Sequence, residues 1–200
     1  MTINTKTLAA IDIGTNAIRL FISNVEEYPT ETLFKKIAFL RVPIRLGEDV
    51  FTTGEIGQQK GKRLCETMQG FSYIMSAFNV ESYKAYATCA MREAQNGKSV
   101  AEQIQKECDL NIEIISGTKE AETIFAGGMN EVVDDDKTYL YVDVGGGSTE
   151  VIVYSKSVKV EACSFPLGTV RMLNDAVDKE EMKHFKKWLK NITEKYTPDA

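Results

Sequence analysis

The sequence predicts an α/β fold built as two related lobes, each a mixed sheet with helices packed on it. Two observations carry this. Strand and helix patterns alternate along most of the 200 residues, and one strand–Asp–turn–strand unit occurs twice, as LAAIDIGTNAIRLFIS and again as YLYVDVGGGSTEVIVYS. Asp12 and Asp143 hold equivalent places in the two copies. The repeat is too degenerate and too widely spaced for a solenoid. It implies two lobes, each presenting one hairpin to a shared cleft.

Residues 8–24 read as the first hairpin, and 31–46 as one or two further strands, with Pro43 marking a break or an edge. Thr52 and Glu55 are expected to cap a helix whose core stripe is Ile56, Leu64, Met68, Phe71, Met75 and Phe78. ESYKAYAT follows as a strand, CAMREA as a helix or turn, residues 98–108 as a helix and NIEIIS as a strand, which completes a five-strand lobe. TKEAETIFAGGMNEV reads as a helix ending before the acidic run Asp134–Asp136, a solvated turn between lobes. KTYLYVDV and STEVIVYS form the second hairpin. Near the end, Met182, Phe185, Leu189 and Ile192 recur at helical spacing, behind a capping box of Asp178 and Glu181 and opposite a lysine-rich face that places His184 at the surface.

Composition narrows the function classes. The 43% apolar and 26% charged content is that of an ordinary globular protein. No apolar run reaches the roughly 18 residues of a membrane span and the start lacks a signal-peptide pattern, so no membrane partner and a cytoplasmic location are expected. A net charge of -5 argues against nucleic acid as a partner. Cys65, Cys89, Cys108 and Cys163 lack CxxC spacing, so neither zinc nor a disulfide framework is expected.

The second turn is the informative stretch. Gly145, Gly146 and Gly147 free three successive backbone units from Cβ restrictions, so their N–H groups can converge on an anion without a basic residue. Phosphate is the first candidate. A loose hairpin turn with nothing bound is the alternative, and the turn alone does not separate the two.

Four segments in order, DIGTNAIRL, ATCAMREA, EIISGTKEAETIFAG and VDVGGGSTE, resemble the exopolyphosphatase and guanosine pentaphosphate phosphohydrolase family of the actin, hexokinase and Hsp70 superfamily; FPLGTVRM also fits. The resemblance implies actin-like (ribonuclease H-like) lobes and a hydrolase that releases terminal phosphate from polyphosphate or guanosine pentaphosphate. Such chemistry needs charge neutralisation, alignment and an oriented water. Gly14, Thr15, Asn16, Gly145, Gly146, Gly147, Ser148 and Thr149 would hold phosphates through amides and hydroxyls. Asp143 and Glu150 would hold Mg2+, with Asp12 as a further metal or water-bridging carboxylate. By the resemblance Glu120 is the general base, with Glu122 its neighbour and competitor, and Arg92 contacts phosphate, for which Arg19 and Arg45 are weaker candidates.

Members of that family continue beyond this length. The expectation is therefore a first lobe over residues 1–130 and an incomplete second lobe over 131–200, whose exposed sheet edge favours association, with a homodimer as one expected partner. Two other functions stay open: a phosphotransferase of the same superfamily, and a non-catalytic sensor of polyphosphate or a guanosine alarmone.

Overall fold

Period-two burial builds the first sheet. In β2 (Ile18–Glu27) the side chains of Ile18, Leu20 and Ile22 are wholly buried while the residues between them face outward. β2 pairs antiparallel with β1 (Asn4–Ile13) and β3 (Thr32–Val42), and β1 pairs parallel with β4 (Ser82–Ala87), beside which lies the two-residue β5 (Glu113–Ile114). The order is β3-β2-β1-β4-β5, a mixed sheet of five strands as expected. The structure, a computed structural model, describes residues 4–126, 137–156 and 158–196. The chain packs as two units, Met1–Ile114 and Ile115–Ala200.

Segment 31–46 makes one long strand, kept continuous by a bulge opposite Ile22 and Ser23, and the strand stops just before Pro43. Next comes a helix that the periodicity did not announce, α1 (Leu46–Thr53), which forms because Leu46 and Val50, one turn apart, are both buried. This changes the capping expectation. Thr52 lies in the last turn of α1, its hydroxyl donating to Glu48 O at 2.7 Å. The long helix α2 (Gln58–Ala77) starts instead at Gly57, whose N–H donates to Asp49 Oδ2 at 3.1 Å. Leu64, Met68, Phe71 and Met75 of α2 join Ile11, Ile13, Leu20 and Ile22 in the core, together with Ile56 just before the helix; Phe78, expected there, is exposed. The short α3 (Cys89–Glu93) follows β4, and α4 (Gly97–Cys108) packs beside α2.

All four cysteines are free thiols. Cys65 and Cys108, far apart in sequence, meet where α2 and α4 pack, with sulfurs 3.7 Å apart, and Cys65 donates to Glu107 at 2.9 Å. Burial first, then the Glu107 and Cys108 contacts, pushes the Cys65 thiol up to about 12. Only the thiolate alkylates. Iodoacetamide at pH 8 should therefore modify Cys65 at least about tenfold more slowly in the folded chain than in the unfolded chain, where the thiol returns to about 8.5; peptide mapping that gives equal rates would refute this.

The second unit contains α5 (Gly117–Ala126), an antiparallel sheet of β6 (Thr138–Val144), β7 (Thr149–Ser155) and β8 (Val158–Phe165), then α6 (Thr169–Leu173) and α7 (Lys179–Tyr196). The central strand β7 is buried along both faces. Ala121 of α5 packs with Ile152 and Tyr154 on one face; Met182, Phe185 and Trp188 of α7 cover Val151 and Phe165 on the other. Phe165 meets Phe185 edge to face with centroids 5.0 Å apart. Asp178 caps α7 through the N–H of Glu180 at 2.9 Å, Glu181 approaches His184 at 3.7 Å, and that histidine is exposed as expected.

The packing of Ala121 groups α5 with the second sheet, whereas the sequence reading assigns that segment to the first lobe. The expected 130/131 boundary, the end of TKEAETIFAGGMNEV and the acidic run Asp134–Asp136 lie outside the described residues.

The two units share a chain plan. Each runs through a hairpin and a third strand to a Leu-Gly dipeptide and a helix: β1, β2, β3, Leu46-Gly47 and α1 in one, and β6, β7, β8, Leu167-Gly168 and α6 in the other. Leu46 and Leu167 are both buried.

Candidate functional site

The hairpin turns repeat closely. Gly145 N–H donates to Ser148 O at 2.9 Å, and Gly14 N–H donates to Ala17 O at 3.1 Å. Below the turns, Asp143 stands opposite Glu150 and Asp12 opposite Arg19.

In the glycine-rich turn the carbonyls are taken from behind by α6. Thr169 N–H donates to Gly145 O at 3.0 Å, Val170 N–H to Gly146 O at 2.8 Å, and Arg171 Nε to Gly147 O at 2.9 Å. A trans peptide points its C=O and the next N–H in opposite directions. Holding three carbonyls toward α6 therefore turns the N–H groups of Gly146, Gly147 and Ser148 away from it. Among the described residues none of these three donates to a protein acceptor. Successive outward N–H groups of this kind can serve an anion as a nest. Thr149 donates its hydroxyl to Leu167 O, so it braces the α6 side instead of opening toward a ligand.

The first turn uses the same device with two planes. Gly47 N–H donates to Thr15 O at 3.0 Å and Arg45 N–H to Asn16 O at 2.9 Å, which turns the N–H groups of Asn16 and Ala17 outward. Thr15 is buried against Gly47. β1 and β4 run parallel, so the chain leaving β4 lies beside this turn; Thr88 N–H donates to Ile13 O at 3.1 Å, and α3 carries the half-buried Arg92 from there. Asp12 is bonded by Arg19 at 2.5 Å, and Arg45 by Glu48 at 3.3 Å. Both of the weaker arginine candidates are thus held in ion pairs.

On the second sheet the carboxylates share a face. Asp143 and Glu150 are register partners, and they lie on the side of Tyr141, Ile152 and Tyr154, the side on which Ala121 of α5 packs. Glu150 is buried and accepts from Ser164 Oγ at 2.9 Å. Burial first, then the charges of Asp143 and Glu150, pushes the Tyr141 phenol up. Glu120 stands next to Ala121 in the first turn of α5, its N–H donating to Ser116 O at 2.9 Å. Glu122 points elsewhere and pairs with Lys159 of β8 at 3.3 Å.

The donors near Asp143 are carboxylate and hydroxyl oxygens, which suits a hard cation. Among the described residues no group of three or more His, Cys, Asp or Glu forms a cage. Two carboxylates fit Mg2+, which keeps several waters and takes further oxygens from a phosphate.

The model of the Ppx/GppA phosphatase family matches residues 21–200. The chain belongs to this family. It is 32% identical over 168 residues to a bifunctional 3-dehydroquinate synthase/phosphatase of Fusobacterium nucleatum, covering 82% of this chain and 25% of that protein. It is 27% identical over 173 residues to exopolyphosphatase 1 of Mycobacterium bovis, covering 84% of this chain and 48% of the relative. The crystal structure of the Aquifex aeolicus Ppx/GppA member matches with a TM-score of 0.74 at 25% identity, over 96% of this chain and 63% of that one. The expected actin-like α/β class stands. No helix among the described residues is long and apolar enough to cross a membrane.

Three residues of this Ppx/GppA chain were given no role by the sequence reading: Gly47, and Gly168 and Arg171 within FPLGTVRM. A Cβ on Gly168 would stand 2.3 Å from Gly146 O, and one on Gly47 would stand 2.3 Å from Thr15 Cγ2. The repeated Leu-Gly dipeptide after each third strand was the available signal.

Proposed function

We propose that this chain carries the phosphate-holding and catalytic carboxylates of an exopolyphosphatase-type hydrolase, which releases terminal orthophosphate from inorganic polyphosphate or from guanosine pentaphosphate. One observation supports this most. The paired carboxylates Asp143 and Glu150 flank a turn whose three outward N–H groups suit phosphate oxygens, and α5, which bears Glu120, packs on the same sheet face.

In this reading the amides of Gly146, Gly147 and Ser148 hold the oxygens of one phosphate; in the first unit, the amides of Asn16 and Ala17 and the Arg92 side chain are suited to phosphate oxygens as well. Glu120 orients a water and takes its proton as the new P–O bond forms and the bridging P–O bond breaks, leaving a chain shorter by one phosphate. Mg2+, held by Asp143 and Glu150 with Asp12 as a further candidate, would supply positive charge to the phosphate oxygens.

Phosphate release from long-chain polyphosphate and from guanosine pentaphosphate, with Mg2+ and with chelator, tests the proposal. Metal-dependent release from either is expected. Tight binding of both without release would favour the sensor. Asp143→Asn should raise the Mg2+ concentration needed for half-maximal release about tenfold or more; an unchanged titration would remove Asp143 from the metal site.

A further inference from the structure

We infer that Arg171 is a positioning residue that sets the third peptide plane of the glycine-rich turn, and so aims the Ser148 N–H at a bound phosphate. The inference rests on the phosphate-holding reading above and deepens it. Two of the three outward N–H groups, those of Gly146 and Gly147, are set by backbone donors of α6. Any residue except proline at 169 or 170 keeps those backbone donors. The third is different: Gly147 O accepts from the side chain of Arg171, through Nε at 2.9 Å, and that side chain is buried.

The comparison inside the chain sharpens the point. Arg171 lies three residues after Gly168, and the matching position after Gly47 is Val50, buried and aliphatic. The first turn accordingly has two carbonyls held from behind, the second has three. A guanidinium is planar and always charged, so its N–H direction is set by packing and does not titrate away. Without it the Gly147–Ser148 plane is free to rotate, and a donor that must be ordered at each binding event contributes less than one already aimed.

The test uses tripolyphosphate as the probe and two variants, Arg171→Met and Arg171→Lys. Isothermal titration is expected to show affinity at least about tenfold weaker for Arg171→Met, with part recovered in Arg171→Lys, which keeps a charge and a donor. Amide spectra should show the Ser148 response to tripolyphosphate lost while those of Asn16 and Ala17 persist. A general loss of stability would blunt both turns together, and that outcome counts against the inference. Should Arg171→Met fail to fold, the Ser148 response of Arg171→Lys decides. Affinity within twofold of wild type and an intact Ser148 response in a folded variant overturn the assignment. Failure of the wild-type chain to bind tripolyphosphate overturns it along with the functional reading beneath it.

Discussion

Glu120→Gln is expected to lower phosphate release at least about a hundredfold, the usual scale for a general base, while leaving folding and phosphate binding intact. The amide has nearly the same shape as the carboxylate but does not accept a proton. Glu120 is half-buried in the first turn of α5, where its backbone N–H is already bonded to Ser116 O and Ala121 beside it supplies the packing. A carboxylate in a first helical turn is also favoured by the helix N-terminus, by about 0.3–1 kcal/mol. Glu122→Gln is the control, since that side chain is exposed and paired with Lys159. Steady-state release, together with a melting curve for each variant, distinguishes the roles. Near-normal turnover in Glu120→Gln would remove it as the base, and a large loss in Glu122→Gln would transfer the role.

Gly168→Ala is expected to disable the phosphate-holding turn from behind. The backbone at Gly168 is extended, with φ -138°, so alanine meets no dihedral strain there. The obstacle is contact. An added Cβ would lie 2.3 Å from Gly146 O and 2.4 Å from Gly147 N, and both are backbone atoms with no rotamer to yield. Either α6 or the turn must move, and the bonds from Thr169 to Gly145 and from Val170 to Gly146 lengthen or break. Overpacking of this kind costs about 1–3 kcal/mol, and losing two aimed donors should weaken tripolyphosphate binding by at least about tenfold. Gly70→Ala is the contrasting change. Gly70 lies inside α2 and an added Cβ meets nothing within 4 Å, so alanine should stabilise the helix by about 0.5–1 kcal/mol. Chemical denaturation of both variants checks the pair; equal stabilities would mean that the close approach at Gly168 is relieved without cost.

Local chemistry made much of this protein readable from its sequence. Alternating apolar residues specify the hairpin strands, because burial on one sheet face has period two, and the Leu64, Met68, Phe71, Met75 stripe specifies α2 through the period of a helix. The matched positions of Asp12 and Asp143 disclosed the repeat, and four motifs disclosed the family. Tertiary structure decided what depends on partners distant in the chain. It formed α1 where Leu46 and Val50 found the core, and grouped α5 with the second sheet through Ala121. It brought Cys65 to Cys108, and separated Glu120 from Glu122 by giving the latter a partner on β8. Above all it assigned Gly47, Gly168 and Arg171 their work. A turn's own residues allow many orientations of its peptide planes, and only the helix behind it, reached through an intervening strand, selects the one that presents N–H groups to a ligand.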